Sequence, residues 1–205
     1  KAEGIASCLI TFANHPRQVL DTSFRPQLLT CLSQKIERFE QSPIEYCVLL
    51  PFTKELSLLS AREFMKVLHE EYHVQTLFVG HDHHFGHSKD EGFQEYCQYG
   101  KEFGMRVMQS KALTEDGVSV SSTLIRSCLC EGKIELANSY LGYHYYLTGR
   151  VVDGRKVGRT LGFPTANIQP LCADKLLPAS GVYAVYVYLG GKRYEGMLNI
   201  GSCPT

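Results

Sequence analysis

The sequence predicts an α/β domain followed by a smaller antiparallel β domain, and three observations carry that prediction. Over the first two thirds, short apolar runs alternate with stretches of helical periodicity, the pattern of a mainly parallel sheet with helices on both faces. From Tyr143 on, aromatic and β-branched runs alternate with glycine turns, the pattern of antiparallel strands and of a small barrel. A helical stretch that stops at Gly142 separates the two regimes, which places the domains at residues 1–142 and 143–205.

Each element follows from local pattern. Residues 5–12 are an apolar run suited to a first buried strand. Leu28, Leu29, Leu32, Ile36 and Phe39 share one helical face, and residues 45–50 read as a second strand. Ser60 and Glu63 make a capping-box pattern ahead of Phe64, Val67 and Leu68, which opens a helix. Residues 74–79 form a third strand closed by Gly80, and a polar loop rich in histidine follows. Residues 91–103 have a helical pattern, and residues 105–108 a fourth short strand. Residues 121–126 open another helix, and a further one covers 133–141. In the second region strands are expected at 145–152, 181–189 and 193–200.

Composition excludes some classes. Lys and Arg total 21, as do Asp and Glu, so the formal net charge is zero and a nucleic-acid partner is disfavoured. No apolar run approaches about 18 residues, so no membrane span is expected, and no secretory signal is visible. The eight cysteines contain no C-x-x-C pair and no zinc spacing with histidine. Several, such as Cys8 and Cys47, lie within apolar runs, so buried free thiols in a reducing, cytoplasmic compartment are expected.

Ligands of parallel sheets gather at the carboxyl ends of the strands, and four stretches stand out with that in view. Thr11-Phe-Ala-Asn-His-Pro16 follows the first strand, so His15 falls at the sheet edge; a loop histidine stiffened by Pro16 is the structural alternative. Phe78-Val-Gly-His-Asp-His-His-Phe-Gly86 puts Asp82 after the third strand, between glycines that permit close approach of a ligand. Its histidine spacing matches no familiar metal site, and a substrate-contacting loop is expected. Val120-Ser-Ser-Thr-Leu-Ile-Arg126 starts a helix, where exposed amides suit phosphate. Ser122 and Thr123 add hydroxyls and Arg126 a charge one turn in, while plain capping needs one such residue. Finally, the stretch 149–167 gathers glycines and cations around Pro164-Thr-Ala-Asn167. Gly158, Arg159 and Gly162 suit a phosphate-wrapping loop, and Thr165 and Asn167 offer hard oxygens for Mg²⁺ carried in with ATP.

In this order the four stretches resemble the bacterial bifunctional riboflavin kinase/FAD synthetase family. Thr-Phe-x-x-His-Pro, Val-Gly-x-Asp-x-x-Phe-Gly and Ser-Ser-Thr-x-Ile-Arg look like motifs of its adenylyltransferase domain. Gly158-Arg-Thr-Leu-Gly-Phe-Pro-Thr-Ala-Asn167 looks like the signature of its kinase domain. Gly181-Val-Tyr-Ala and Asn199-Ile-Gly-Ser-Cys-Pro-Thr205 also match kinase strands. The resemblance implies a Rossmann-like nucleotidyltransferase domain and a riboflavin kinase-like barrel. It implies two reactions: ATP phosphorylates riboflavin to FMN, and a second ATP adenylylates FMN to FAD, both with Mg²⁺. It assigns His15, Asp82, Ser122, Thr123 and Arg126 to adenylyl transfer. It assigns Gly158, Arg159, Gly162, Thr165 and Asn167 to the kinase Mg-ATP loop, with Thr165 and Asn167 as metal ligands.

The family's adenylyl-transfer domain opens with a Gly-x-Phe-Asp-Gly-x-His-x-Gly-His motif, and its kinase domain continues through more strands, a glutamate base and a final helix. Neither occurs in the 205 residues, so the catalytic histidine pair and glutamate are expected outside them. Asn14 and Ala13 stand where Pro and Asp are common, and His83 and His84 where Phe and Arg follow the aspartate. An alternative of a different class is a nucleotide- or flavin-binding homologue that has lost its catalytic motifs.

Overall fold

The computed structural model of the protein describes residues 4–88, 90–115, 117–154, 157–160 and 162–201, with Val157 described by its backbone alone. Arg155, Lys156 and Leu161 of the glycine-rich stretch, and Ser202 to Thr205 of the closing motif, lie outside the described residues. The chain divides into two units: Lys1–Arg25 with Leu32–Ser119, and Pro26–Cys31 with Val120–Thr205.

In the first unit the amino-terminal apolar run forms β1 (Cys8–Phe12), and Pro16 sits in the first turn of the short α1 (Pro16–Leu20). After α2 (Leu32–Glu40) comes β2 (Tyr46–Leu50), which pairs parallel with β1 from Cys8 opposite Tyr46 to Phe12 opposite Leu50. The short α3 (Lys54–Ser57) leads to α4 (Ala61–Glu70), where the expected capping box of Ser60 and Glu63 is present. Hydrogen bonds from the Ser60 amide and hydroxyl hold the Glu63 carboxyl below its usual range. The third strand, β3 (Thr76–Val79), pairs parallel with β4 (Arg106–Gln109) through the crossover helix α5 (Phe93–Phe103), which ends on left-handed Gly104. A small antiparallel pair, β5 (Thr114–Glu115) and β6 (Val118–Ser119), was not legible in the sequence.

The core of this unit joins Ala61 and Met65 of α4, Val79 of β3 and Tyr96 of α5, with Leu77, Phe85, Tyr99, Phe103 and Val107 against it. Gly100 is required here, because a Cβ would stand 2.8 Å from the Met105 carbonyl oxygen and crowd the Val107 side chain. The expected sheet is found in two pieces. Among the described residues β1–β2 and β3–β4 are separate two-stranded sheets with no ladder between them. Helical crossovers bring the members of each pair side by side, whereas the 51–75 connection carries α3 and α4 without pairing β2 to β3.

The second unit contains α6 (Ser122–Cys130) and α7 (Ile134–Leu141), the latter ended by left-handed Gly142 as the pattern predicts. Their core is Ile125, Cys128, Leu129 and Ala137, with Leu176. Next come β7 (Gly149–Val152), a helical turn α8 (Val157–Thr160) inside what reads as loop, and β8 (Asn167–Pro170), which pairs antiparallel with β7. The unit closes with a hairpin of β9 (Gly181–Leu189) and β10 (Lys192–Ile200). The antiparallel strands expected here are present, but no closed barrel is: the described residues form two separate antiparallel pairs, with no ladder joining β7–β8 to β9–β10.

Two further expectations change. Leu28 and Leu29 do not belong to α2. Leu28 instead bridges Lys175 within the second unit, its amide donating to the Asp174 carbonyl at 2.8 Å and its carbonyl accepting from the Leu176 amide at 2.9 Å. The same segment carries Cys31, which forms a disulfide with Cys172, 141 residues away. The expectation of buried free thiols therefore fails for this pair as to freedom, and for Cys8, Cys47 and Cys130 as to burial. Among the other described cysteines Cys128 is buried, Cys97 is half-buried and Cys8, Cys47 and Cys130 are exposed. Lys175 is buried beside the strap, donating to the Leu29 carbonyl, with its ammonium 4.1 Å from the Tyr145 ring centre and 5.5 Å from that of Tyr146. Burial lowers the Lys175 amine from its usual 10.5 to about 8 and pushes the Tyr145 phenol up.

Opening the Cys31–Cys172 loop by reduction, or by Cys172→Ser, is expected to destabilise the chain by about 2–5 kcal/mol. The urea midpoint followed by circular dichroism measures it, and equal midpoints with and without reductant would show the bond is absent in solution. For Lys175 the folded state holds the lower pKa, so above about 8 the unfolded chain binds more protons and this group adds stability as pH rises. The midpoint of the natural chain should therefore rise relative to that of Lys175→Met between about pH 7.5 and about pH 9.5.

Candidate functional site

His15 and Asp82 both follow the carboxyl end of a parallel strand in the first unit, where the sequence places them. His15 is the N-cap of α1, and its Nδ1 accepts the Arg17 amide at 3.2 Å. Its ring lies 5.3 Å from that of Phe24, over which the Arg17 guanidinium stacks at 4.2 Å. His15 thus caps the turn that Pro16 opens, with its imidazole beside Phe24.

Asp82 is exposed, with its Oδ1 3.4 Å from the His81 Nδ1. Its loop is anchored at both ends. Gln109, at the end of β4, donates to the His81 carbonyl at 3.0 Å. Downstream, the fully buried Tyr96 stacks on Phe85 with ring centres 4.2 Å apart. Its hydroxyl accepts the Phe85 amide and donates to the Glu91 carbonyl, both at 3.2 Å. Gly86 has φ 87°, and a Cβ there would overlap the Ala61 backbone. The expectation that this glycine serves approach of a ligand is corrected: it admits the start of α4. The loop histidines point to separate partners, His84 to the Glu91 carbonyl and His83 toward the Phe85 ring. Among the described residues no group of three His, Cys, Asp or Glu is placed to hold a metal.

In the second unit α6 carries Ser122, Thr123 and Arg126 together. Ser121 is the N-cap, its hydroxyl accepting the Leu124 amide at 3.2 Å, so the exposed Ser122 and Thr123 are not spent on capping. Arg126 lies one turn in, with its Nε donating to the Gln27 carbonyl at 2.9 Å.

The kinase-like stretch forms a cleft of about 360 Å³ within the second unit, lined by Val151 to Gly154, Arg159 and Pro164 to Asn167. Thr165, Asn167 and Arg159 are therefore brought together. The β7–β8 register puts Val152 opposite Asn167, which sends the two strand ends to the same rim. Between them α8 and a turn at left-handed Gly162 fold the chain back, and the Phe163 amide donates to the Gly158 carbonyl at 2.8 Å. A Cβ at Gly158 would stand 3.2 Å from the Thr165 hydroxyl and overlap the Phe163 carbonyl. Gly158 and Gly162 thus shape the loop, while Arg159 and Thr165 line the cleft. Asp153 lines it as well and was not singled out by sequence, since its place depends on the strand register. The Thr165 hydroxyl, the Asn167 carboxamide and the Asp153 carboxylate are all hard oxygen donors, a set that fits Mg²⁺.

Residues 1–124 match the family model described as FAD synthetase, and residues 141–205 that described as riboflavin kinase. The chain is 35% identical over 199 residues to the bifunctional riboflavin kinase/FMN adenylyltransferase of Escherichia coli (strain K12), covering 96% of this chain and 63% of the relative. It is 34% identical over 204 residues to the protein of the same description from Bacillus subtilis (strain 168), covering 99% and 64%. A crystal structure described as a macrolide-efflux protein from Streptococcus pneumoniae superposes with TM-score 0.88 at 26% identity, covering 100% of this chain and 66% of that one. The chain thus spans just under two thirds of the length of these relatives. Among the described residues no helix is long and apolar enough to cross a membrane.

The cleft geometry is testable by itself. A Cβ at Gly154 would overlap the Asn167 carboxamide, so Gly154→Ala should displace that exposed side chain while changing stability by no more than about 0.5 kcal/mol. The amide resonances of Asn167 and the thermal midpoint report it, and an unshifted Asn167 would refute the packing described.

Proposed function

The chain belongs to the FAD synthetase family, and from that membership we propose that it serves flavin cofactor synthesis by two ATP-dependent transfers. One phosphorylates riboflavin to FMN, and the other joins AMP to FMN to give FAD and pyrophosphate. The observation that carries this is the kinase-like cleft, where a glycine-shaped loop, a guanidinium and three oxygen donors meet. Such transfers rest on positioning and charge neutralisation.

In the cleft Arg159 supplies charge for ATP phosphates, and the Thr165 and Asn167 oxygens, with Asp153, hold the divalent ion. When bound, Mg²⁺ neutralises charge on the transferred phosphoryl group. Gly158 and Gly162 let the backbone close around it. For adenylyl transfer, the first turn of α6 offers amides with the Ser122 and Thr123 hydroxyls to phosphate oxygens, and Arg126 adds charge. His15 and Asp82 contribute from the carboxyl edges of their strands. The functional boundary is placed near Gly142, with adenylyl transfer on residues 1–142 and the kinase on 143–205.

Incubation of the full-length protein with riboflavin and Mg-ATP, with FMN and FAD separated by chromatography, tests the proposal. Asn167→Ala should raise the KM for ATP in FMN formation roughly tenfold and leave conversion of supplied FMN to FAD unchanged. ATP binding with neither product formed would favour the non-catalytic reading instead.

A further inference from the structure

We propose that Asn14 is a positioning residue whose carboxamide fixes the turn after β1, so that His15 is held in its Nε2-protonated form at the strand edge. The inference rests on the reading that His15 serves the nucleotide.

The hydrogen bonds are specific. Asn14 Nδ2 donates to the Phe52 carbonyl at 2.9 Å, and the Phe52 amide donates to Asn14 Oδ1 at 2.8 Å. A side chain thus occupies both backbone groups of a residue 38 positions away, as a neighbouring strand would. It extends the β1–β2 pair beyond Phe12 opposite Leu50, after the Ala13 amide has donated to the Leu50 carbonyl at 2.9 Å. A carboxamide offers a donor and an acceptor side by side in this way, as an ionised carboxylate does not. The Phe12 and Phe52 rings, edge to face at 4.9 Å, pack at the same place.

His15 is therefore held from both sides: Asn14 ties the residue before it to the loop after β2, and Pro16 sets the backbone after it. Between them the backbone of His15 is extended, at φ −76° and ψ 124°, which lets its Nδ1 reach the Arg17 amide. A backbone N–H can only donate, so Nδ1 is the acceptor and the proton of the neutral ring sits on Nε2. That makes Nε2 a hydrogen-bond donor, the character a phosphoryl oxygen requires. Without Asn14 the turn loses its tie to β2, and the cap geometry that selects this tautomer is no longer enforced.

The test uses the full 205-residue chain labelled with ¹⁵N-histidine. The ring resonances of His15 are assigned with His15→Ala, and Mg-ATP affinity is measured by calorimetry. In the natural chain the ring nitrogens of His15 should show the Nε2–H pattern. In Asn14→Ala they should move toward an average of the two tautomers, and the Kd for Mg-ATP should rise roughly tenfold. Asn14→Asp keeps the acceptor for the Phe52 amide but not the donor; it should fall between the two and serves if Asn14→Ala does not fold. Unchanged His15 resonances in a folded Asn14 variant would overturn the proposal. If the resonances shift while His15→Ala binds Mg-ATP normally, Asn14 does position His15, and the assignment of His15 to the nucleotide falls instead.

Discussion

Backbone amides and carbonyls in the loops of this protein must find partners that no helix or strand supplies, and the way they find them sets the loops that carry His15 and Asp82 and the segments packed on α6. At the end of β1 the Asn14 carboxamide stands in for a strand neighbour. After β3 the loop around Asp82 is held by Gln109 and by the buried Tyr96 hydroxyl. In the second unit Arg126, Lys175 and Tyr145 bond carbonyls at Gln27, Leu29 and Leu176. Side chains thus do at the loops what ladders do within the strands. Each loop is positioned by residues of a different element.

This arrangement ties the sites to the cores. Tyr96 belongs to the cluster of Ala61, Met65 and Val79, so the loop it anchors moves only if that core does. Leu176 belongs to the cluster under α6, which couples the Lys175 bridge and the Pro26–Cys31 strap to the helix that carries Ser122 and Thr123. The disulfide at Cys31 closes the same strap. Lys175 illustrates the tension in such a design: burial works against its charge, while the Leu29 carbonyl and two tyrosine rings favour it.

Local pattern made much of this legible. The capping box of Ser60 and Glu63, the stop at Gly142 and the four strands of the first region all depend on side chains within a few residues, and all are found. The cleft residues Arg159, Thr165 and Asn167 were legible because their motif is contiguous. Asp153 was not, since only pairing of β7 with β8 brings it to the same rim. Leu28 and Leu29 misled because their spacing continues the helical face of Leu32, Ile36 and Phe39, whereas a bridge to Lys175 claims Leu28 and the Lys175 ammonium the Leu29 carbonyl.

The sequence by itself determined the motifs and most of the local elements that present them, because motifs, caps and periodicity act over short distances. Only the tertiary structure decided which strands pair, that Cys31 meets Cys172, and that a carboxamide at Asn14 completes the end of β1. Among those outcomes the Asn14 contact spans 38 positions and the disulfide 141. Such contacts form only when the whole chain has closed its loops, and nothing in a short window of sequence encodes them.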